Sequence, residues 1–163
     1  MSLTQEDISE LLDQYGDMVL RLSYTYLKNK ADAEDIVQDV FLKIMEKHPD
    51  FNDKTHEKSW IMKVTINICK NKLNLFWNRN KRSMDEVVET ASYDAYNVDS
   101  NVLKAVMSLP DKYRIVVYMY YYEGYSTPEI SKIIGKSEAT VRSLLHRARS
   151  GLKDVLKEAY DFE

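Results

Sequence analysis

Apolar residues recur at three- and four-residue steps through most of the chain, a spacing that predicts amphipathic helices and not strands. Ile8, Leu11, Leu12, Tyr15, Val19, Leu22 and Tyr26 predict a first helix over residues 5–28, with Asn29 at its C-terminal end. Ala33, Ile36, Val37, Val40, Phe41 and Ile44 predict the buried stripe of a second helix, 31–47. Its opposite stripe is Asp35, Gln38, Asp39, Leu42 and Glu46. A leucine among acids suits either a solvated face with one exposed apolar residue or an acidic docking face for a partner.

The polar run at 48–57 contains Pro49, Asn52 and Asp53 and reads as a loop. Helical spacing resumes over 58–78, where Ile61, Val64, Ile68 and Leu75 predict the apolar line. Trp60, Phe76 and Trp77 add aromatic mass near the ends, and lysines alternate with Asn67, Asn71, Asn74 and Asn78. Cations that track phosphate, amides that read base edges and rings that stack suit single-stranded nucleic acid. An ordinary amphipathic helix with core aromatics is the plainer alternative, Trp60 included.

Residues 83–98 are acidic and weakly periodic, and read as a flexible linker. They divide the chain into 1–82 and 99–163. Four short helices are expected after the linker. In the third, Ser126 or Thr127 caps, Pro128 sits in the first turn and Glu129 closes a capping box with Ser126. Gly135 makes the turn and Ser137 caps the fourth helix. Two short helices joined by a glycine turn describe a helix-turn-helix. Small Ser131 lets the helices approach, and Val141 locks the second against the first. Six tyrosines between Tyr113 and Tyr125 read as packing residues with wet hydroxyls.

Composition narrows the class. Four Gly and three Pro in 163 residues leave too few turns for an all-β design, so the expected fold is all-α. The single cysteine, Cys69, allows no internal disulfide and reads as a small buried hydrophobe. No apolar run reaches membrane-spanning length, and a cytoplasmic location is expected. His48, His56 and His146 are scattered, and neither a phosphate loop nor a nucleophilic triad is present. The expectation is a protein without catalysis, metal or cofactor.

The net charge of -3 conceals a strong pattern. Residues 58–84 hold seven basic groups and no acidic one, and residues 130–153 hold six and one. The segments around them are acidic. Two separated positive blocks suggest two contacts with a polyanion. In a helix-turn-helix the second helix enters the major groove, arginines read guanine, and phosphate contacts supply affinity.

These residues carry a family resemblance. The stretches "YGDMVLRLSYTYLKNKADAEDIVQDVFLKIM", "SWIMKVTINICKNKL" and "SLPDKYRIVVYMYYYEGYSTPEISKIIGKSEATVRSLLHRARSGLK" cover most of the chain. Together they resemble the sigma factors of the sigma-70 family, in the extracytoplasmic-function (ECF) group. The resemblance implies that residues 1–82 form sigma region 2 and 99–163 form region 4. It implies that Asp35, Gln38, Asp39 and Leu42 dock on core RNA polymerase, whose clamp and flap are the expected contacts. Trp60, Lys63, Asn67, Lys70 and Asn71 would capture the promoter −10 element. Ser137, Thr140, Arg142, Ser143, His146, Arg147 and Arg149 would face the −35 element. An anti-sigma factor is a further expected partner.

The chain departs from the family pattern at Ile66, Asn71, Ala139 and Leu144, which bears on promoter preference. Two rival readings are a conventional helix-turn-helix regulator and a recombinase or nuclease using the terminal module for targeting. The first would need a dimerisation or sensing domain in residues 1–80, where the basic run lies. The second would need clustered carboxylates, but Asp32, Glu34, Asp35 and Asp39 spread around a helix.

Overall fold

The computed structural model describes residues 3–47, 49–79 and 100–160. Among the described residues every regular element is a helix, and the chain divides into two compact units, Met1–Val87 and Val88–Glu163. The expected linker, 83–98, lies outside the described residues, as do His48 and the side chains of Phe76 and Trp77.

The first unit packs three helices, α1 (Gln5–Leu27), α2 (Lys30–Lys47) and α3 (Lys54–Arg79). A capping box starts α1. Thr4 Oγ1 accepts from the Asp7 amide at 3.1 Å, and the Asp7 carboxylate accepts from the Thr4 amide at 2.9 Å. Lys28, not Asn29, takes the left-handed position that ends α1, with φ 57° and its amide bonded to the Tyr24 carbonyl at 2.8 Å. Asn29 instead opens α2, its side-chain oxygen accepting from the Asp32 amide at 3.0 Å. One short connection thus ends one helix and starts the next.

Tyr15, Met18, Val19, Leu22 and Tyr26 of α1 are buried with Ala33, Ile36, Val40, Phe41 and Ile44 of α2. Four expected apolar positions behave differently: Leu12 is exposed, and Ile8, Leu11 and Val37 are half-buried. In α3 the buried line is Ile61, Met62, Thr65, Ile66 and Cys69, whereas Val64 and Ile68 are half-buried and Leu75 is 58% exposed. The buried line lies about a third of a turn from the expected one: it takes in Met62, Thr65 and Ile66, and Cys69 is buried as its residue type suggests. Thr65 is tolerated there because its hydroxyl donates to the Ile61 carbonyl at 2.7 Å. Ile66, one of the departures from the family pattern, is a core residue at 1% exposure.

α3 begins earlier than its spacing predicts. Asp53 caps it, accepting from the His56 amide at 2.8 Å, so the last four residues of the expected loop, 54–57, are its first turn. Tyr15 ties this end to α1 by donating to Glu57 Oε1 at 2.7 Å.

The second unit contains α4 (Ser100–Ser108), α5 (Asp111–Val117), α6 (Thr127–Ile134) and α7 (Glu138–Tyr160). The last is long, not short, at 23 residues. Leu109, Val117 and Ala148 form a core cluster with Val106, Tyr113 and Leu152 against it. A Cβ on Gly151 would lie 3.1 Å from Leu109 Cδ2, so the glycine is where the chain after α4 approaches α7 closely. Arg114 is buried, and its guanidinium donates to the Leu109 carbonyl at the end of α4.

After α5 the helix widens into a π-helical turn, Tyr118–Tyr122. The Glu123 amide reaches back to the Tyr118 carbonyl at 3.1 Å, and Gly124 leaves the turn at φ 74°. The tyrosines divide: Tyr118 and Tyr125 are buried, while Tyr121 is 58% and Tyr122 38% exposed. Uniform packing was expected of all six. The extra residue of the π turn rotates part of the run outward.

Candidate nucleic-acid interface

The helix-turn-helix is built by local bonds. Ser126 and Glu129 form the expected capping box at the start of α6, with bonds of 3.3 and 3.0 Å. This holds the Glu129 carboxyl below its ordinary pKa, through the Ser126 amide first and its hydroxyl second. Gly135 ends α6 at φ 72°, a conformation that favours glycine. Its amide and that of Lys136 both bond to the Ser131 carbonyl, at 3.0 and 3.2 Å. Ser131 does more than leave room, since its hydroxyl donates to the Lys136 carbonyl and closes the turn. Ser137 then caps α7, accepting from the Thr140 amide at 3.1 Å.

α6 contributes buried Ile130 and Ile133, and α7 contributes Val141, Leu145 and Ala148. Burial of this stripe fixes which face of α7 looks outward. Ser137, Thr140, Arg142, Ser143, His146, Arg147 and Arg149 are all exposed. Helical spacing puts Arg142, His146 and Arg149 in one row, Thr140 and Arg147 in another, and Ser143 between them. Arg142 lies 3.5 Å from Glu138, an exposed i,i+4 pair that offsets its charge. Arg149 leans on the π turn. Its Nε donates to the Tyr121 hydroxyl, and its guanidinium lies 5.5 and 5.6 Å from the Tyr120 and Tyr121 ring centres.

In the first unit, α3 carries a second outward row. Trp60, Lys63, Asn67, Lys70 and Asn71 follow one another at helical spacing, opposite the buried Ile61–Cys69 line. Lys63, Asn67 and Asn71 are exposed, and Trp60 and Lys70 are half-buried. Phe51, in the loop before α3, lies edge-on to Trp60 at 5.7 Å and to His56 at 5.5 Å. Cys69, on the buried side, has its thiol pushed up to about 12 by desolvation, against the Ser23 hydroxyl and the Lys72 charge.

A third surface lies on α2. Asp35, Gln38 and Asp39 are exposed, and Leu42 is 60% exposed. Met45, one turn further on, is also exposed at 46%, so Leu42 is one of an adjacent apolar pair. Spacing alone missed Met45 because it falls between the predicted stripes. It also missed Lys72 as a partner of this face: its ammonium lies 3.7 Å from Asp32 and 3.8 Å from Asp35. No helix among the described residues is long and apolar enough to cross a membrane.

Two family models match the chain, Sigma-70 region 2 over residues 11–82 and Sigma-70, region 4 over residues 100–152. The chain is 30% identical to the ECF RNA polymerase sigma factor SigE of Mycolicibacterium smegmatis, across 90% of this chain and 60% of that protein. It thus spans somewhat under two thirds of that relative's length. It is 24% identical to the ECF RNA polymerase sigma factor SigW of Bacillus subtilis, across 94% of this chain and 91% of that one. A solved structure of the sigma factor RpoE with the anti-sigma factor NepR, from Bartonella quintana, shares the fold. Its TM-score is 0.75 at 21% identity, covering 93% of this chain and 98% of that one. With both regions matched in order and ECF sigma factors among its relatives, the chain belongs to the sigma-70 family, in the ECF group of RNA polymerase sigma factors.

Proposed function

We propose that the chain directs core RNA polymerase to promoters through three separate faces. Residues 1–82 form the region that docks on polymerase and opens the −10 element, and 99–163 form the region that reads the −35 element. The α2 face of Asp35, Gln38, Asp39 and Leu42 takes the polymerase clamp, with Met45 widening its apolar centre. The second unit meets the flap.

One observation carries the DNA reading. α3 puts an aromatic ring, two cations and two amides in one row on the side opposite its core. A helix that served only packing would not need that combination. Trapping unstacked bases there offsets a cost of a few kcal/mol per base. On α7, Arg142, Ser143, His146 and Arg147 enter the major groove, and Ser137 and Thr140 meet phosphate near the helix start.

The protein acts by positioning, with no chemistry of its own, and works in the cytoplasm. Two weak DNA contacts, held together by polymerase, gain affinity through effective concentration. A sigma factor resembling it in fold has been solved with an anti-sigma factor, which supports such a partner for this chain. The exposed α2 surface is the face we assign to it. Gel shift of promoter DNA with and without core enzyme tests the scheme. Binding should be tight and sequence-specific only with core present. Tight specific binding by the free chain at physiological salt contradicts it.

A further inference from the structure

We infer that Tyr121, with Tyr120 beside it, is a positioning residue for DNA binding that presents Arg149 to a phosphate at the edge of the major groove. The inference rests on the −35 reading of α7 and adds residues from outside that helix. Arg149 is the last member of the Arg142, His146, Arg149 row. It lies eleven residues beyond Glu138, about 16 Å further along the helix axis. That distance exceeds the width of the major groove, about 12 Å. With α7 entering the groove by its N-terminal end and its start among the bases, Arg149 would lie beside the sugar-phosphate backbone.

Long arginine side chains lose rotamer freedom when they grip a phosphate. Here the loss is met in advance. The Tyr121 hydroxyl accepts from Nε, and the Tyr120 and Tyr121 rings lie 5.5 and 5.6 Å from the guanidinium carbon. The two rings are themselves edge-to-face at 4.9 Å, so each limits the other. Holding Nε from one side leaves the terminal nitrogens to form the two-pronged contact that phosphate favours. The π-helical turn supplies the geometry. An uninterrupted α-helix through Tyr118–Tyr122 would turn successive side chains by a regular step. The widened turn instead brings two consecutive tyrosines to one guanidinium, with Tyr121 58% exposed. That exposure is unneeded for packing, and Tyr121 contributes little to the core.

The test uses the full chain and a fluorescein-labelled, mixed-sequence DNA duplex, followed by anisotropy over a low-salt series. Phosphate contact is independent of sequence, so the promoter need not be known. Arg149→Gln should weaken binding and reduce the salt slope by about 0.9, the loss of one phosphate contact. Tyr121→Ala and Tyr121→Phe should each weaken binding, by roughly threefold or more for the alanine. In the Arg149→Gln background, Tyr121→Ala should cost nothing further. Thermal midpoints should match the wild type, which separates positioning from folding. Wild-type affinity and slope in both Tyr121 variants, or in Arg149→Gln, overturn the inference while leaving the DNA reading intact. So does a Tyr121→Ala loss that persists undiminished without Arg149. A wild-type chain that does not bind the duplex even at the lowest salt defeats the DNA reading, and this inference with it.

Discussion

Lys72 of α3 reaches Asp35 of α2, its ammonium 3.8 Å from the carboxylate, with Asp32 at 3.7 Å on the other side. The helix proposed to meet DNA thus touches the face proposed to meet polymerase. Both ends of the pair are partly exposed, so its contribution to stability is small, about 0–1 kcal/mol. Asp35→Asn should leave the denaturation midpoint nearly unchanged. It should weaken association with core polymerase, measured by titration of labelled chain. Leu42→Asp should do so more strongly, by about tenfold or more, since it puts a charge at the apolar centre of the contact. Unchanged affinity in both would remove α2 from the docking surface.

Gly135 is the residue on which the helix-turn-helix bends. At φ 72° it holds a left-handed position, and no neighbouring atom within 4 Å would crowd a Cβ there. The cost of Gly135→Ala is therefore conformational, about 1–2 kcal/mol, and Gly135→Asn should cost less. Urea denaturation of the three proteins checks the order. An alanine variant as stable as the wild type would mean that the turn can relax.

Acid should loosen α6 first at its cap. Glu129 is held below its model-compound pKa of 4.5 by Ser126. A lowered carboxyl pKa adds stability above the unfolded-state value, and that stability is lost as pH falls through the lower folded-state value. Glu129→Gln, which removes the charge that the Ser126 amide favours, should destabilise the second unit slightly at neutral pH, with less difference from wild type in acid below that window. Melting curves of both proteins from neutral pH downwards would show a gap that closes. A gap that stays constant would assign the effect to something other than the carboxylate.

Cys69 behaves in the opposite sense. Its thiol, pushed from 9.0 to about 12 by burial, stays protonated when an unfolded chain has already ionised. The stability this provides is complete below pH 9 and is lost as pH rises towards 12. The native chain should resist a thiol-specific reagent at mildly alkaline pH and react quickly in denaturant. Cys69→Ala should flatten the alkaline arm of the stability profile. Rapid labelling under native conditions would contradict the burial that underlies both expectations.

The helices and the second unit's caps were legible in the sequence because each rests on local chemistry. Ser126, Glu129, Gly135 and Ser137 announce the turn by residue type alone. The acidic face of α2 was legible for the same reason: its buried stripe is apolar throughout. α3 was harder. Its core side contains Thr65, and its outward side contains Leu75, so polarity misstates the phase by about a third of a turn. Register there is set by tertiary packing, with Thr65 satisfied inside its own helix. The start of α3 was missed although Asp53, a good cap residue, stood before it. The tyrosine run could not be divided from sequence either. Which ring turns outward depends on one extra residue in a π turn, and spacing rules assume a regular helix.

Run-off transcription with purified core polymerase, on fragments of the source genome, tests the central claim most directly. With the wild-type chain, transcripts should begin at defined positions, and core alone should give none. A chain carrying both Trp60→Ala and Asn67→Ala should still bind core polymerase but lose those starts. If the wild-type chain neither binds core polymerase nor produces a defined start, it does not do what its three faces are proposed to do.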